Sequence, residues 1–140
     1  MEESDFERLS VLRIEAMRES LERVGRFDPD RGRERLGNSF YPQHTRLILL
    51  DGGEAGFQTF RPVEEGFQLD HLYIHPDYQS QGLGSCILGK LCSEADPCGK
   101  AVHLGALKGS RSNQFYRRHG FEQTAEAEWD IYYTRPCSVA

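Results

Sequence analysis

The stretch Leu69-Asp-His-Leu-Tyr-Ile-His-Pro-Asp-Tyr-Gln-Ser-Gln-Gly-Leu-Gly-Ser85 constrains this chain more than any other. An apolar, strand-like run ends at Pro76, a glycine turn follows, and Ser85-Cys-Ile-Leu-Gly-Lys-Leu-Cys-Ser-Glu-Ala95 reads as a helix. Strand, glycine turn and helix N-terminus in that order make an anion site. Gly82 and Gly84 carry no Cβ, so several backbone N–H groups can converge on one point. The first amides of the helix have no intrahelical acceptor, and its positive dipole end adds to the same field. A diphosphate suits such a turn. Two common phosphate loops are excluded by spacing: no Gly-x-x-x-x-Gly-Lys-Ser/Thr is present, and Ile87 stands where the dinucleotide fingerprint needs its third glycine.

Gln79-Ser-Gln-Gly-Leu-Gly84 resembles the Gln/Arg-x-x-Gly-x-Gly/Ala signature of the GNAT superfamily of N-acetyltransferases, with Gln79, Gly82 and Gly84 matching. Downstream, Ser112-Asn-Gln-Phe-Tyr-Arg-Arg-His-Gly-Phe121 is similar to the superfamily's second block, a short helix bearing Phe-Tyr and ending in Gly-Phe. Each block also has a local account. Gly120 suits the left-handed cap of a helix, and Phe121 would open a strand and fold back over the core. The resemblance covers residues 46–135. It implies an α/β (α+β) fold with a mixed, mainly antiparallel sheet flanked by helices and strands splayed at the coenzyme site. It also implies acetyl-coenzyme A as cosubstrate, its pyrophosphate cradled by Gln79, Ser80, Gln81, Gly82, Leu83, Gly84 and Ser85.

Transfer of an acetyl group from a thioester to an amine also needs a polarised carbonyl, a route for the ammonium proton, and a proton for the departing thiolate. In the superfamily the strand before the turn holds the pantetheine arm and thioester oxygen with its backbone, which implies Leu72, Tyr73 and Ile74 here. A backbone N–H near Tyr73 or Ile74 would stabilise the oxyanion, a contribution of roughly 3–4 kcal/mol for a single donor. Tyr116 matches the family's general acid, and a phenol with a pKa of ~10 keeps its proton at neutral pH. Beside Phe115 on an amphipathic helix it also reads as core. The Asn usual seven residues before this Tyr is replaced by Gly109, and Asn113 is the remaining candidate for coenzyme contact on this helix.

For the base, family members use positions matching Gln68 or Asp70, whereas His71 has the more suitable ordinary pKa, ~6.5. Neighbours on a strand face opposite sides, so Asp70 and His71 are alternatives, and many such enzymes use no dedicated base. Glu128 and Asp130 are expected on one face of a last strand, Ala127–Thr134, near where acceptor amines bind in related folds.

At 140 residues the chain is expected to form a single domain, 1–140, with a core that needs neither disulfide nor metal. A formal charge of −5 and a pI near 5.5 argue against nucleic-acid binding through a basic surface. No apolar run approaches the ~18 residues of a membrane span, and the acidic start lacks the pattern of a secretory signal. A cytoplasmic protein is expected. Cys86, Cys92, Cys98 and Cys137 form no C-x-x-C pair and read as buried, reduced thiols. The five histidines lack metal-ligand spacing, and no metal is expected; His75 reads as a cap before Pro76.

Residues 5–25 place Phe6, Leu9, Leu12, Ala16, Leu21 and Val24 at helical spacing, and Asp28 can cap a second helix beginning at Pro29. Arginines between positions 18 and 35 alternate with acids and read as a solvated, self-paired face. Strands are expected at 46–50, 55–61 and 67–75, the first two joined by Asp51-Gly-Gly-Glu54, and another at 101–107. The family's first strand is expected to be missing, because the chain enters a helix almost at once.

The sequence thus points to an acetyl-coenzyme A-dependent N-acetyltransferase in which a primary amine of a small molecule or peptide attacks directly within a ternary complex. The competing reading is a non-catalytic acyl-coenzyme A-binding or regulatory domain, which Gly109 and the missing strand favour. A homodimer is compatible with both.

Overall fold

Asp51 and Gly52 have φ values of 52° and 82°, the left-handed pair that a two-residue hairpin requires. They close β1 (Thr45–Leu50) onto β2 (Gly53–Val63), antiparallel from Leu50 opposite Gly53 to Thr45 opposite Thr59. A computed structural model describes residues 5–23, 25, 28–38, 41–79 and 82–137. Two helices precede the hairpin, α1 (Phe6–Arg23) and α2 (Pro29–Asn38), and β3 (Gly66–Ile74) follows it. Then come α3 (Leu83–Ala95), β4 (Ala101–Leu107), α4 (Ser112–Arg118), β5 (Glu122–Glu126) and β6 (Asp130–Arg135). The six strands form one sheet in the order β1-β2-β3-β4-β6-β5. The β3–β4 ladder is parallel, and the β4–β6 and β5–β6 ladders are antiparallel.

The chain divides into two compact units: one runs to Phe60 and adds Asp70–Gly84, the other takes Arg61–Leu69 and the chain from Ser85 onward. In the first unit Leu9 and Leu12 of α1, Leu36 of α2 and Phe57 of β2 form a buried cluster flanked by Phe6, Leu47 and Tyr73. The apolar spacing of α1 explains why this face turns inward. Asp28 caps α2 as its position predicts, its carboxylate accepting from the Arg31 backbone N–H at 3.3 Å. Arg18 pairs with Glu22 at 2.9 Å, and Arg33 pairs with Glu7 while lying over the Phe6 ring. That guanidinium holds the exposed Glu7 carboxyl below its ordinary range. Val24 and residues 1–4, where an earlier family strand would begin, lie outside the described residues.

In the second unit α3 buries Leu88, Leu91, Cys92 and Ala95, and β4 buries Val102, Leu104, Ala106 and Leu107. The β3–β4 ladder comprises Gly66–Leu69 with Ala101–Leu104, and Gly66 (φ 144°) is close enough to the Ala101 carbonyl that a Cβ there would collide with it. The end of α4 fulfils its sequence signal. Gly120 (φ 87°) donates to the Arg117 carbonyl and Phe121 to that of Tyr116, at 3.2 and 3.1 Å. The Phe121 ring then packs on Tyr116, 5.7 Å between centroids, as in a Schellman ending.

Two sequence expectations need correction. The last strand begins at Asp130, because the Ala127 N–H donates to the Asp130 carbonyl at 2.8 Å and closes a turn between β5 and β6. Glu128 is therefore an exposed turn residue, and it does not share a strand face with Asp130. The thiols are also unlike one another: Cys92 is buried and Cys137 half-buried, but Cys86 and Cys98 are exposed, and all four are free.

Candidate functional site

The candidate residues fall in both units. Those of β3 from Asp70 onward and of the glycine turn up to Gly84 belong to the first, and Ser85, Asn113, Tyr116, Glu128 and Asp130 to the second.

In the first unit, Gly82 takes φ 78°, a conformation that a side chain would strain, and a Cβ built on it meets nothing within 4 Å. Gly82 thus presents bare backbone to open space immediately before Leu83 and Gly84 begin α3, whose opening amides lack helical acceptors. This fits a phosphate group. Ser80 and Gln81, expected beside them, lie outside the described residues. The Gln79 side chain is already engaged: its amide nitrogen donates to the Ile74 carbonyl at 2.7 Å, tying the turn to the last residue of β3.

A Cβ on Gly56 would overlap the Tyr73 carbonyl, so β2 and β3 come together backbone against backbone only because residue 56 is glycine. One residue past the strand, the His75 N–H donates to the Ala55 carbonyl at 2.7 Å. The His75 ring caps the following turn, Nδ1 accepting from the Asp77 N–H at 3.1 Å, and its Nε2 contacts Glu15. Asp70 is half-buried and His71 is buried, consistent with their facing opposite sides. His71 Nδ1 lies 3.2 Å from the Tyr73 hydroxyl, and Arg13 donates to the same hydroxyl through Nε at 3.3 Å. The Phe57 ring packs on both aromatic partners, with centroids 5.3 Å from Tyr73 and 6.1 Å from His71.

Arg13 and Ser10, both buried on α1, were not among the residues singled out from the sequence. A signal was present. Arg13 stands four residues after Leu9 and three before Ala16, squarely in the apolar stripe.

In the second unit Asn113 is buried, and its amide is fully engaged. Its nitrogen donates to the carbonyls of Leu107 at 2.8 Å and Ser110 at 3.0 Å, and its oxygen accepts from the Tyr133 hydroxyl at 2.8 Å. Asn113 therefore brackets the β4–α4 connection to β6. Tyr116 is 7% exposed, its ring among Phe115, Phe121 and Tyr133. Ser85 is exposed and its hydroxyl meets His119 Nε2 at 3.0 Å, and Asp130 is half-buried at the start of β6 opposite Leu107. A pocket of about 170 Å³ lies in this unit, lined by Gly89, Cys92, Asp96, His119 and Arg135 among others. Asp96 and Arg135 form a two-pronged ion pair at 2.9 and 3.1 Å, which pushes the guanidinium pKa up. Burial pushes the Cys92 thiol up.

Residues 42–123, more than half the chain and including both the glycine turn and α4, match the acetyltransferase (GNAT) domain. The chain belongs to the GNAT acetyltransferase family. Among its relatives is L-amino acid N-acyltransferase MnaT of Escherichia coli K12, 35% identical over 79 residues, covering 53% of this chain and 45% of MnaT. Another is L-methionine sulfoximine/L-methionine sulfone acetyltransferase of Salmonella typhimurium LT2, 34% identical over 79 residues, 53% of this chain and 46% of that one. The matched part thus spans somewhat less than half the length of these relatives. Among solved structures, PaiA N-acetyltransferase from Thermoplasma acidophilum in complex with coenzyme A superposes with a TM-score of 0.67 at 17% identity, covering 95% of this chain and 93% of that one. The ribosomal-protein-S18-alanine N-acetyltransferase of Escherichia coli gives 0.71 at 19% identity, covering 100% and 92%. These likenesses bear out the GNAT fold expected from the two sequence blocks.

Proposed function

We propose that this GNAT protein transfers the acetyl group of acetyl-coenzyme A to the primary amine of a small molecule. The observation that carries the reading is the left-handed Gly82, open to space just ahead of α3, with Gln79 tied to the end of β3. The exposed backbone of this turn and the amides of Leu83 and Gly84 would hold the diphosphate. Leu72, Tyr73 and Ile74 would run along the pantetheine arm, with a backbone N–H near Tyr73 or Ile74 donating to the thioester oxygen as the amine attacks. Tyr116 would protonate the departing thiolate, and Asp70, His71 or water would accept the ammonium proton. Glu128 and Asp130 would face the acceptor. The substrates for which the two relatives are named, amino acids and amino-acid analogues, support an α-amino acid as acceptor. Within this reading the chain acts as a single catalytic domain in the cytoplasm.

The near-complete burial of Tyr116 in a ring cluster supports a second reading, an acyl-coenzyme A-binding domain without turnover. One titration and one assay separate them. Acetyl-coenzyme A should bind saturably by calorimetry, and Gly84→Glu should abolish binding by placing a like charge where the diphosphate sits. Binding without acetylation of any amine in a broad amino-acid screen would favour the second reading; no binding by the unmodified protein would end both.

A further inference from the structure

Arg13 is 95% withdrawn from solvent in a unit whose described residues give it no carboxylate partner. A guanidinium is a cation, and burying such a charge unpaired is costly. Its neighbours satisfy it only in part. Nε donates to the Tyr73 hydroxyl at 3.3 Å, and the guanidinium carbon lies 5.5 Å from the centre of that ring. Nη1 is fully buried and has no acceptor. One turn earlier on the same face of α1, the Ser10 hydroxyl is also buried and unpartnered. A third such atom, Oε1 of Gln58, points to the opposite side of β2 from Phe57 and takes no part.

Two unpartnered polar atoms, Nη1 of the Arg13 cation and the Ser10 hydroxyl, three residues apart on one helix face, define an incomplete anion site. From this cluster we infer that Arg13, with Ser10 beside it, is the anchor for a carboxylate of the acceptor. A carboxylate matches the planar fork of a guanidinium and can accept from a hydroxyl with its second oxygen. The partner hydroxyl of Tyr73 belongs to the strand expected to carry the thioester, so an acceptor held at Arg13 would lie beside that strand. This inference rests on the acetyltransferase reading above and adds to it the group by which the amine substrate is recognised. Because Nη1 has no contact with solvent in the free protein, an entering carboxylate must part the side chains above it.

The test is calorimetric titration of the protein with a panel of L-α-amino acids and their carboxamides. At least one amino acid should bind about tenfold more tightly than its carboxamide, the difference expected for a charge-assisted pair. Arg13→Gln should remove that preference, and Arg13→Lys, which keeps the charge but loses the fork, should retain part of it. Equal binding of acid and carboxamide, binding of no amino acid, or a preference that survives in Arg13→Gln would each overturn the inference. Should Arg13→Gln fail to fold, the loss is read from Arg13→Lys, where an undiminished preference counts equally against it. Acetyl-coenzyme A is titrated into the same preparations: its binding alongside a missing carboxylate preference refutes the role of Arg13 alone, whereas its failure to bind the unmodified protein refutes the acetyltransferase reading.

Discussion

The hydroxyl of Tyr133 donates to the side-chain oxygen of Asn113 at 2.8 Å, and both residues are buried. The Asn113 amide nitrogen meanwhile holds the Leu107 carbonyl where β4 gives way to the turn before α4. One side chain therefore satisfies a strand end and a phenol that would otherwise be left unpaired.

Asn113→Ala should accordingly destabilise the protein by about 2–3 kcal/mol, since it strands two buried polar groups. Tyr133→Phe leaves only the amide oxygen unpaired and should cost about 1 kcal/mol. Urea denaturation of the variants measures both, and a neutral Asn113→Ala would mean that the bracket is dispensable.

Gly56→Ala should lower stability by about 1–3 kcal/mol, because the new methyl group meets the Tyr73 carbonyl and backbone cannot step aside as a side chain can. Thermal unfolding should show a matching fall in midpoint. Affinity for acetyl-coenzyme A should fall with it if residues 72–74 line the pantetheine arm. Gly25, whose Cβ position is open, is the control, though its positive φ carries a smaller strain of its own.

Tyr116→Phe removes a hydroxyl and leaves the ring that packs on Phe121 and Tyr133. If Tyr116 is the general acid, turnover should fall by about 10²–10⁴-fold with little change in coenzyme affinity. Steady-state rates measured beside calorimetric binding distinguish this from a packing role, for which both would change slightly.

The thiols should react in order of exposure. At neutral pH, Cys86 and Cys98 should be alkylated first and Cys92 last, because Cys92 is buried and its pKa is raised by that burial. A group whose folded pKa exceeds its unfolded value favours the folded state below the unfolded pKa, and the benefit is lost as pH rises through the folded one. For a thiol that window opens near pH ~8.5. Stability should therefore decline above it, and Cys92→Ala should lessen the decline; a denaturation series between neutral and alkaline pH gives the result.

The parts of the fold visible in the sequence are those fixed by local chemistry. Asp51-Gly52 demanded a hairpin, Asp28-Pro29 a helix start, Gly120-Phe121 a helix end, and each formed where expected. What escaped the sequence depends on partners far along the chain. Nothing local shows that the Tyr133 hydroxyl, twenty residues on, would donate to the Asn113 side-chain oxygen. The stripe of α1 hints that Arg13 is buried, but its partner, Tyr73, shows only in the packing of α1 beside β3. Glu128 was read into a strand by alternation alone, whereas the backbone bond from Ala127 to Asp130 makes it part of a turn.

The bond from Gln79 to the Ile74 carbonyl has a consequence for selectivity. It fixes the interval between the end of β3 and the glycine turn, so the two ends of a bound coenzyme would be set apart by a strut belonging to the protein. A carrier with the same phosphates on a shorter or longer arm would bring its thioester to the wrong rung of the strand. If the coenzyme binds there, the site would act as a gauge of length, with Gln79, whose amide faces the protein's own backbone, keeping its calibration.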